Sequence, residues 1–279
     1  MRELMALEII DFDNIDEWST SLEAVLRPLI TDFAWKNLTN ANFQFIEDAR
    51  DLLFELTNRD EIIDTVLHWL RSKKLVGYHG TRLIESEIDS IRLNGLLPLN
   101  AVTRRDRLVR ALSSHPNWHE VSKRLDDVIQ SHGQGNREGK REGQAHLTLS
   151  MTGLVQGFNH YLVYGSEFDQ NVAQELLGQD GMKLLLLDGV SKVIKVAIPG
   201  EIAVKAAHPF FSVESLRAKG DTPNLVKEFL ETWSFKLSNP NLQSRQLRVD
   251  CGMIFWKTIP ADWIVDILAV EIPPNQRVL

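Results

Sequence analysis

Residues 78–82 read Tyr-His-Gly-Thr-Arg and directly follow a polar helix end at residues 72–74 and an apolar pair at residues 75–76. This order predicts a short strand over residues 75–79. A histidine followed by glycine at a strand end puts an imidazole beside exposed backbone, and Gly80 permits a ligand to approach the main chain closely. The segment therefore indicates a binding position in which His79 offers a titratable ring.

A second segment, residues 159–167, has the same construction: an apolar run that ends in glycine, a hydroxyl and a charge. The chain has three tyrosines, and Tyr78, Tyr161 and Tyr164 all fall in these two segments. If the segments lie side by side, they form a pocket with aromatic walls and one imidazole. On a strand Tyr161 and Tyr164 point to opposite faces, so one is expected to stack on a flat ligand and the other to join the core.

The composition narrows the class of protein. The net charge is −7, from 31 basic and 38 acidic residues, so the whole chain has no basic signature for general nucleic-acid or membrane binding. A single cysteine, Cys251, excludes an internal disulfide framework and a multi-cysteine zinc site. The beginning of the chain does not read as a signal peptide, and its apolar runs are shorter than a membrane span. We expect a soluble cytoplasmic protein.

Residues 1–74 are predicted to form a helical N-terminal domain. Apolar residues between Phe45 and Leu56 follow the spacing of one helical face, and Asn58 with Glu61 forms the capping box of the next helix. No motif here carries chemistry. A packing domain and a regulatory, partner-binding cap both fit this region.

Residues 75–279 are predicted to form an α+β domain with a mixed or antiparallel sheet. Residues 101–144 read as an insertion in this domain, helical at first and then a glycine-rich charged loop over residues 131–144. Further strands are predicted at residues 146–150, 160–164, 182–187, 192–198, 249–256 and 267–272, and further helices at residues 84–94, 172–177, 225–237 and 260–264.

The first motif offers groups for a nucleotide ligand. His79 can hydrogen-bond a sugar hydroxyl, the backbone of Gly80 a carboxamide, and Arg82 a phosphate, while Thr81 lies within the same run. The alternative is a satisfied histidine at a strand end beside a surface arginine.

Several acids are candidates for a catalytic carboxylate. Ser166 and Glu167 extend beyond the second motif and can bond to a ligand or take part in the chemistry, or else form a solvated turn. Glu271 lies in an apolar run near the C-terminus, where a strand carboxylate either faces outward or is functional. Glu201 after a Pro-Gly pair is a competing acid and can equally be a turn residue.

The sequence predicts no metal site. His115 and His119 are four residues apart, but Pro116 lies between them and no third ligand has metal spacing. The HExxH pattern and the phosphate-binding glycine patterns of nucleotide-binding folds are also missing.

The run Tyr78-His79-Gly80-Thr81, followed by a helix that leads into residues 94–96, resembles the opening of ADP-ribosyltransferase-like domains. The match is to the branch of the poly-ADP-ribose polymerases and diphtheria toxin, with a histidine–tyrosine–glutamate signature, and it covers about residues 75–275. The resemblance implies a split-sheet core and NAD as the substrate. It implies that His79 and Gly80 hold the nicotinamide ribose and carboxamide, and that Tyr164, or else Tyr161, stacks on the nicotinamide.

The same resemblance implies a glutamate on a later strand, for which Glu271 is the first choice and Glu167 the second. The implied activity is cleavage of the nicotinamide–ribose bond and transfer of ADP-ribose to a protein or nucleic-acid acceptor, as in a toxin or defence effector. NAD hydrolysis and a non-catalytic nucleotide- or nucleic-acid-binding module are the alternatives.

The His-Gly-Thr opening is also similar to that of the RNA 2′-phosphotransferases, which share the fold, use NAD and add basic residues to the pocket. Arg82 and His146 match part of that set. A local basic face around Arg104, Arg105, Arg107 and Arg110 would favour such a substrate, whereas the acidic net charge argues against it.

Overall fold

The computed structural model describes residues 7–133, 142–243, 246–247 and 249–272. It is a mixed α and β protein with 58% helix, 15% strand and an antiparallel sheet, which confirms the mixed composition and the antiparallel pairing. The low strand content shows that the sequence overestimated the number of strands in the second half.

The strands belong to one sheet with the order β5-β3-β2-β4-β6. Their bounds are β1 (Ile9–Ile10), β2 (Lys74–Leu83), β3 (Ala145–Thr148), β4 (Val190–Pro199), β5 (Gly252–Phe255) and β6 (Ile264–Ala269). Strand β1 pairs with β2 in parallel, with Ile9 opposite Lys74 and Ile10 opposite Leu75. A split, ADP-ribosyltransferase-like sheet arrangement stays a prediction.

Most of the other described residues form helices. Their bounds are α1 (Ile15–Leu26), α2 (Asp32–Asn40), α3 (Ile46–Leu56), α4 (Arg59–Arg71), α5 (Glu85–Asn94), α6 (Ala101–Leu112), α7 (Trp118–Val121), α8 (Leu125–Gly133), α9 (Met151–Gln156), α10 (His160–Tyr164), α11 (Glu167–Leu177), α12 (Gln179–Leu187), α13 (Gly200–Ala206), α14 (Val213–Ala218) and α15 (Asn224–Ser238). Short 3₁₀ turns include Arg27–Leu29, Ser122–Arg124 and Ala261–Trp263. No helix in the described part of the chain is long and apolar enough to cross a membrane.

The chain divides into two compact units that are discontinuous in sequence. The first contains residues 1–77, 148–153 and 196–253, and the second contains residues 78–147, 154–195 and 254–279. The chain first passes from the first unit to the second between residues 77 and 78. The sequence suggested a boundary three residues earlier, between residues 74 and 75.

The first unit has an aromatic core. The ring of Phe229 lies 4.8 Å from that of Trp18 and 5.5 Å from that of Trp69, centroid to centroid. Helix α15, which carries Phe229, packs on α2 and α3. The expected cap of α4 is confirmed, because the side chain of Asn58 accepts a hydrogen bond from the backbone N–H of Glu61.

The second unit has an apolar core formed by α6, α8, α11 and α12. Leu108, Leu112, Leu125 and Val172 are buried in it, and each is at most 1% exposed. Helix α5 ends as the sequence predicted, at Gly95 with φ +82°, a conformation that favours glycine. The next residues lead the chain into the walls of the site described below.

Two expected strands are helices. Residues 182–187 belong to α12 and residues 160–164 form α10. A short apolar run does not distinguish a strand from a buried helix, and the leucines of α12 are strong helix formers. Gly165, with φ +85°, ends α10 as a helix C-cap.

Of the remaining predicted elements, several are confirmed and one strand is shifted along the chain. The helices expected at residues 172–177 and 225–237 and the strand at residues 192–198 are confirmed. Strand β6 begins and ends three residues before the expected range at residues 267–272. Of the glycine-rich segment 131–144, residues 134–141 lie outside the described residues.

Candidate functional site

The second unit contains a cleft of about 420 Å³. Its walls come from β2, α5, the segment at residues 95–100, α6, the start of β3 and the first turn of α11. Leucines at residues 96, 97 and 99 and Phe168 provide an apolar side, while histidines, arginines and hydroxyls provide a polar one. A cavity of this size with a few convergent polar groups is typical of small-molecule sites.

Alternation along β2 decides which residues of the first motif reach the cleft. His79, Thr81 and Leu83 line it. A Cβ built on Gly80 would instead lie 2.9 Å from Leu154 Cδ1 and 3.2 Å from Leu162 Cδ2, so this position faces the core on the other side of the strand. Gly80 is therefore needed for packing. The motif had instead predicted that this glycine lets a ligand approach the main chain.

His79 is held in one orientation. Its Nδ1 lies 2.7 Å from the backbone oxygen of His146, so Nδ1 carries the proton and donates it to that carbonyl. Nε2 has no partner among the described residues and is left as an acceptor. Burial lowers the pKa of His79, the hydrogen bond to His146 opposes this, and the charge of Arg104 lowers the pKa further. The ring is therefore neutral at physiological pH.

Arg82 does not have the role that the sequence suggested. Its guanidinium is buried and donates to the backbone oxygens of Asp188 at 2.9 Å and Gly189 at 2.6 Å. It also donates to Ser191 Oγ at 3.1 Å and to the last carbonyls of α10. Because the guanidinium holds the Asp188-Gly189 turn against α10 through these contacts, we assign Arg82 a structural role.

The two tyrosines of the second motif differ in their surroundings. The hydroxyl of Tyr161 donates to Glu167 Oε1 at 2.7 Å, and Glu167 lines the cleft. The ring of His160 lies against that of Tyr161, 4.0 Å between centroids. Tyr164 is not among the described residues that line the cleft. Tyr161 is thus linked to the cleft by its hydrogen bond to Glu167. The aromatic ring in the cleft wall is that of Phe168.

Two other candidate acids lie elsewhere. Glu271 is exposed and irregular, two residues beyond the end of β6, so it is not the strand carboxylate that the sequence suggested. Glu201 lies in the first turn of α13 in the first unit, where it forms ion pairs with Arg71 at 2.8 Å and Lys205 at 2.9 Å. Of the three candidate glutamates, Glu167 is the one that lines the cleft.

Helix α6 contributes arginines to the cleft, and they belong to the local basic face that the sequence suggested around residues 104–110. Arg104 and Arg107 line the cleft, and Arg110 lies one turn further along the helix. Arg104 Nε donates to Asp169 Oδ1 at 3.0 Å, and its Nη2 donates to Asp169 Oδ2 and, at 3.2 Å, to Ser166 Oγ. The carboxylate of Asp169 is fully buried. Burial and the neighbouring charge of Arg107 lower the pKa of Arg104 to about 9, so it stays charged at neutral pH.

Arg107 and Arg110 complete this charge network. Arg107 Nη1 lies 3.3 Å from both carboxylate oxygens of Glu87, and Arg110 donates to Asp188 at 2.8 and 2.9 Å. Burial opposes ionisation of Asp188, but the bonds from Arg110 and the charge of Arg107 hold its pKa below the ordinary value. The three-residue spacing of the arginines was visible in the sequence, whereas their acidic partners come from distant segments and were not.

The geometry can bind a polar, partly aromatic ligand. A neutral imidazole acceptor, two guanidinium groups and the carboxylate of Glu167 share one cleft with an apolar wall. Among the described residues, no group of three histidine, cysteine, aspartate or glutamate side chains is arranged to hold a metal ion. No family model matches the chain, and neither a curated protein nor a solved structure matches it.

Proposed function

We propose that the second unit is an NAD-dependent ADP-ribosyltransferase whose substrate binds in the cleft beside His79. The observation that carries the proposal is the state of His79: it belongs to the motif that resembles this family, it lines the cleft, and its Nδ1 bond to His146 leaves Nε2 as an acceptor. Such an acceptor suits a ribose hydroxyl, and the apolar wall with Phe168 suits a nicotinamide ring.

In the proposed reaction the glycosidic bond between C1′ of the ribose and the nicotinamide nitrogen breaks. The bonding electrons go to the pyridinium, which leaves as neutral nicotinamide, so no acid is required. Positive charge develops on the ribose, as in glycoside chemistry generally. A nucleophile of the acceptor then bonds to C1′ and loses its proton.

The useful contribution of the protein to this reaction is a rigid grip on the ribose and a nearby carboxylate. His79 would fix a ribose hydroxyl, and Glu167 would stabilise the cation or accept the proton of the nucleophile. The hydroxyl of Tyr161 orients Glu167 through their 2.7 Å hydrogen bond. Glu167 therefore replaces Glu271 as the proposed catalytic carboxylate, and Phe168 replaces Tyr164 as the aromatic wall.

Etheno-NAD fluorescence and nicotinamide release test this proposal. The wild-type chain should turn NAD over, and His79→Ala should lower the rate by about 10²–10³, the loss typical of one electrostatic contact in a transition state. The matched control is His119→Ala, since His119 is on α7 in the same unit with its side chain 87% exposed. Equal rates in the wild type and both variants, or no NAD turnover, would contradict the proposal.

The product separates transfer from hydrolysis. With a labelled NAD and a lysate as the source of acceptors, transfer places the label on a macromolecule, whereas hydrolysis leaves all of it in free ADP-ribose. Ligand binding that depends on His79 without turnover would indicate a non-catalytic nucleotide-binding module.

A second candidate function is removal of a 2′-phosphate from RNA with NAD as the acceptor. The observation in its favour is that Arg104, Arg107 and His146 line the same cleft as His79, which provides basic residues beyond the His-Gly-Thr motif. An RNA oligonucleotide with an internal 2′-phosphate tests it: loss of the phosphate that requires NAD supports this reaction, and an unchanged oligonucleotide excludes it.

A further inference from the structure

We propose that Arg104 and Arg107 form a phosphate-binding subsite in the cleft that holds the diphosphate of a dinucleotide substrate. This inference rests on the proposed function for the identity of the substrate, but the subsite itself can be tested without turnover.

Both guanidinium groups have N–H donors that no described residue accepts from. Arg104 Nη1 and Arg107 Nη2 make no hydrogen bond with any described residue, although both side chains line the cleft. Arg107 is only 4% exposed, and its buried Nε has no hydrogen bond; the nearest acceptor, Asp169 Oδ2, is 3.4 Å away. A buried donor without a partner requires an explanation. Glu87, Asp169 and Asp188 lie 3.3, 3.4 and 3.7 Å from the Arg107 guanidinium and balance its charge, so a phosphate oxygen would bind to the donors that these acids leave unpaired.

Buried and half-buried acids hold both guanidinium groups in place before a ligand binds. Asp169 is fully buried and holds Arg104 through two hydrogen bonds, while Glu87 holds Arg107. The terminal nitrogen of Arg107 also packs against Gly165, where an added Cβ would lie 3.2 Å from Nη2. Fixed donors lose little side-chain entropy when they bind, which favours affinity.

The spacing of the two arginines on α6 suits a diphosphate. Arginines three residues apart on a helix are neighbours about 5–6 Å apart at Cβ, and each guanidinium forms forked bonds to phosphate oxygens. Two such groups match two adjacent phosphates. Ser166 caps α11 and lies 3.2 Å from Arg104 Nη2, so its hydroxyl and the positive end of that helix face the same corner of the cleft.

The acids in this part of the cleft are already engaged. Glu87 accepts from Arg107 and Arg110, and Glu167 accepts from Tyr161. The acids limit the net positive charge of the subsite, since Arg104, Arg107 and Arg110 face three carboxylates, those of residues 87, 169 and 188. The phosphates are therefore expected to bind through directed hydrogen bonds more than through a net positive field.

Calorimetric titration of the full chain with ADP-ribose, inorganic pyrophosphate and nicotinamide riboside tests the subsite. The test variant is the double substitution Arg104→Gln with Asp169→Asn, which removes the guanidinium and its buried partner together. Arg107, which also faces Asp169, keeps Glu87 and Asp188 as partners. The matched control is Arg105→Gln with Asp126→Asn, the next ion pair on the same helix, whose side chains are 46% and 69% exposed.

The expected result is that the test variant binds ADP-ribose and pyrophosphate at least about 10-fold more weakly, the loss expected for a charge-assisted hydrogen bond. The control should bind both as the wild type does, and nicotinamide riboside, which has no phosphate, should bind all three proteins equally. Equal affinities for ADP-ribose in both double variants, or no binding of either phosphate ligand to the wild type, would overturn the subsite.

A single variant keeps the test decisive if the double variant does not fold. Arg104→Lys retains a positive charge beside Asp169 but removes the forked donor, so it should fold and still weaken ADP-ribose about 10-fold. The two proposals can be contradicted separately. If the wild type binds ADP-ribose through Arg104 but does not cleave NAD, only the proposed function is wrong. If NAD cleavage does not depend on Arg104, only the subsite is wrong.

Discussion

The substitution Asp169→Asn should destabilise the second unit strongly, because it removes the negative charge on which two cleft arginines depend. The Asp169 side chain is fully buried, Arg104 bonds to both of its oxygens, and Arg107 is 4% exposed with its Nε 3.4 Å from Oδ2. Asparagine has nearly the same shape, so the change leaves packing intact and isolates the charge.

The magnitude follows from the burial. Removing one partner of a buried ion pair costs about 3–5 kcal/mol, since the remaining charge is uncompensated. With a urea slope of about 3 kcal/mol per molar, this corresponds to a midpoint about 1–1.7 M lower. The exposed pair of Arg105 with Asp126 sets the contrast, because pairs of that kind contribute about 0–1 kcal/mol.

Urea unfolding followed by circular dichroism measures the difference. Asp169→Asn should lower the midpoint by roughly a molar, and Asp126→Asn should leave it within the range of a surface change. Adding Arg104→Gln to Asp169→Asn should recover part of the loss, because the pair is then removed as a unit. If Asp169→Asn and Asp126→Asn shift the midpoint equally, the charge network of α6 does not hold the cleft as described.

Two further predictions concern β2. Gly80→Ala should lower the free energy of unfolding by about 1–3 kcal/mol, because the new methyl group would lie 2.9 Å from Leu154 Cδ1 in the core. The control Gly252→Ala, at a strand glycine with open space around it, should be neutral or slightly stabilising. Thermal unfolding of both variants measures the difference, and equal losses of stability would contradict the packing role of Gly80. Because the pKa of folded His79 lies below its ordinary value of 6.5, the unfolded chain binds this proton first, so stability should fall as the pH is lowered from 6.5 through the pKa of the folded state. His79→Gln should remove that part of the slope in urea unfolding between neutral pH and about pH 5, and an unchanged slope would show that His79 titrates normally.

Local rules predicted the elements that carry strong local signals. Asn58 caps α4 and Gly95 ends α5 as expected, because each acts through the backbone of its own turn. Residues 160–164 and 182–187 were misread as strands because a short apolar run has no period that separates the two structures. Their helical state depends on packing with distant residues, which sequence spacing does not contain.

Only part of the site could be predicted from the sequence, because most of its contacts join distant segments of the chain. His79 reaches the cleft as its motif suggested, but strand alternation sends Arg82 to the opposite side, where backbone carbonyls bind it. The cleft instead takes its guanidinium groups from Arg104 and Arg107, which are more than 20 residues further along the chain. Their role depends on Asp169, a partner that only the folded chain brings into contact.

A crystal structure of the chain with a non-hydrolysable NAD analogue tests the central claim most directly. We expect a ribose hydroxyl within hydrogen-bonding distance of His79 Nε2, the nicotinamide against Phe168, and the diphosphate on Arg104 and Arg107. An analogue bound outside this cleft, or an empty cleft at saturating analogue, would contradict it.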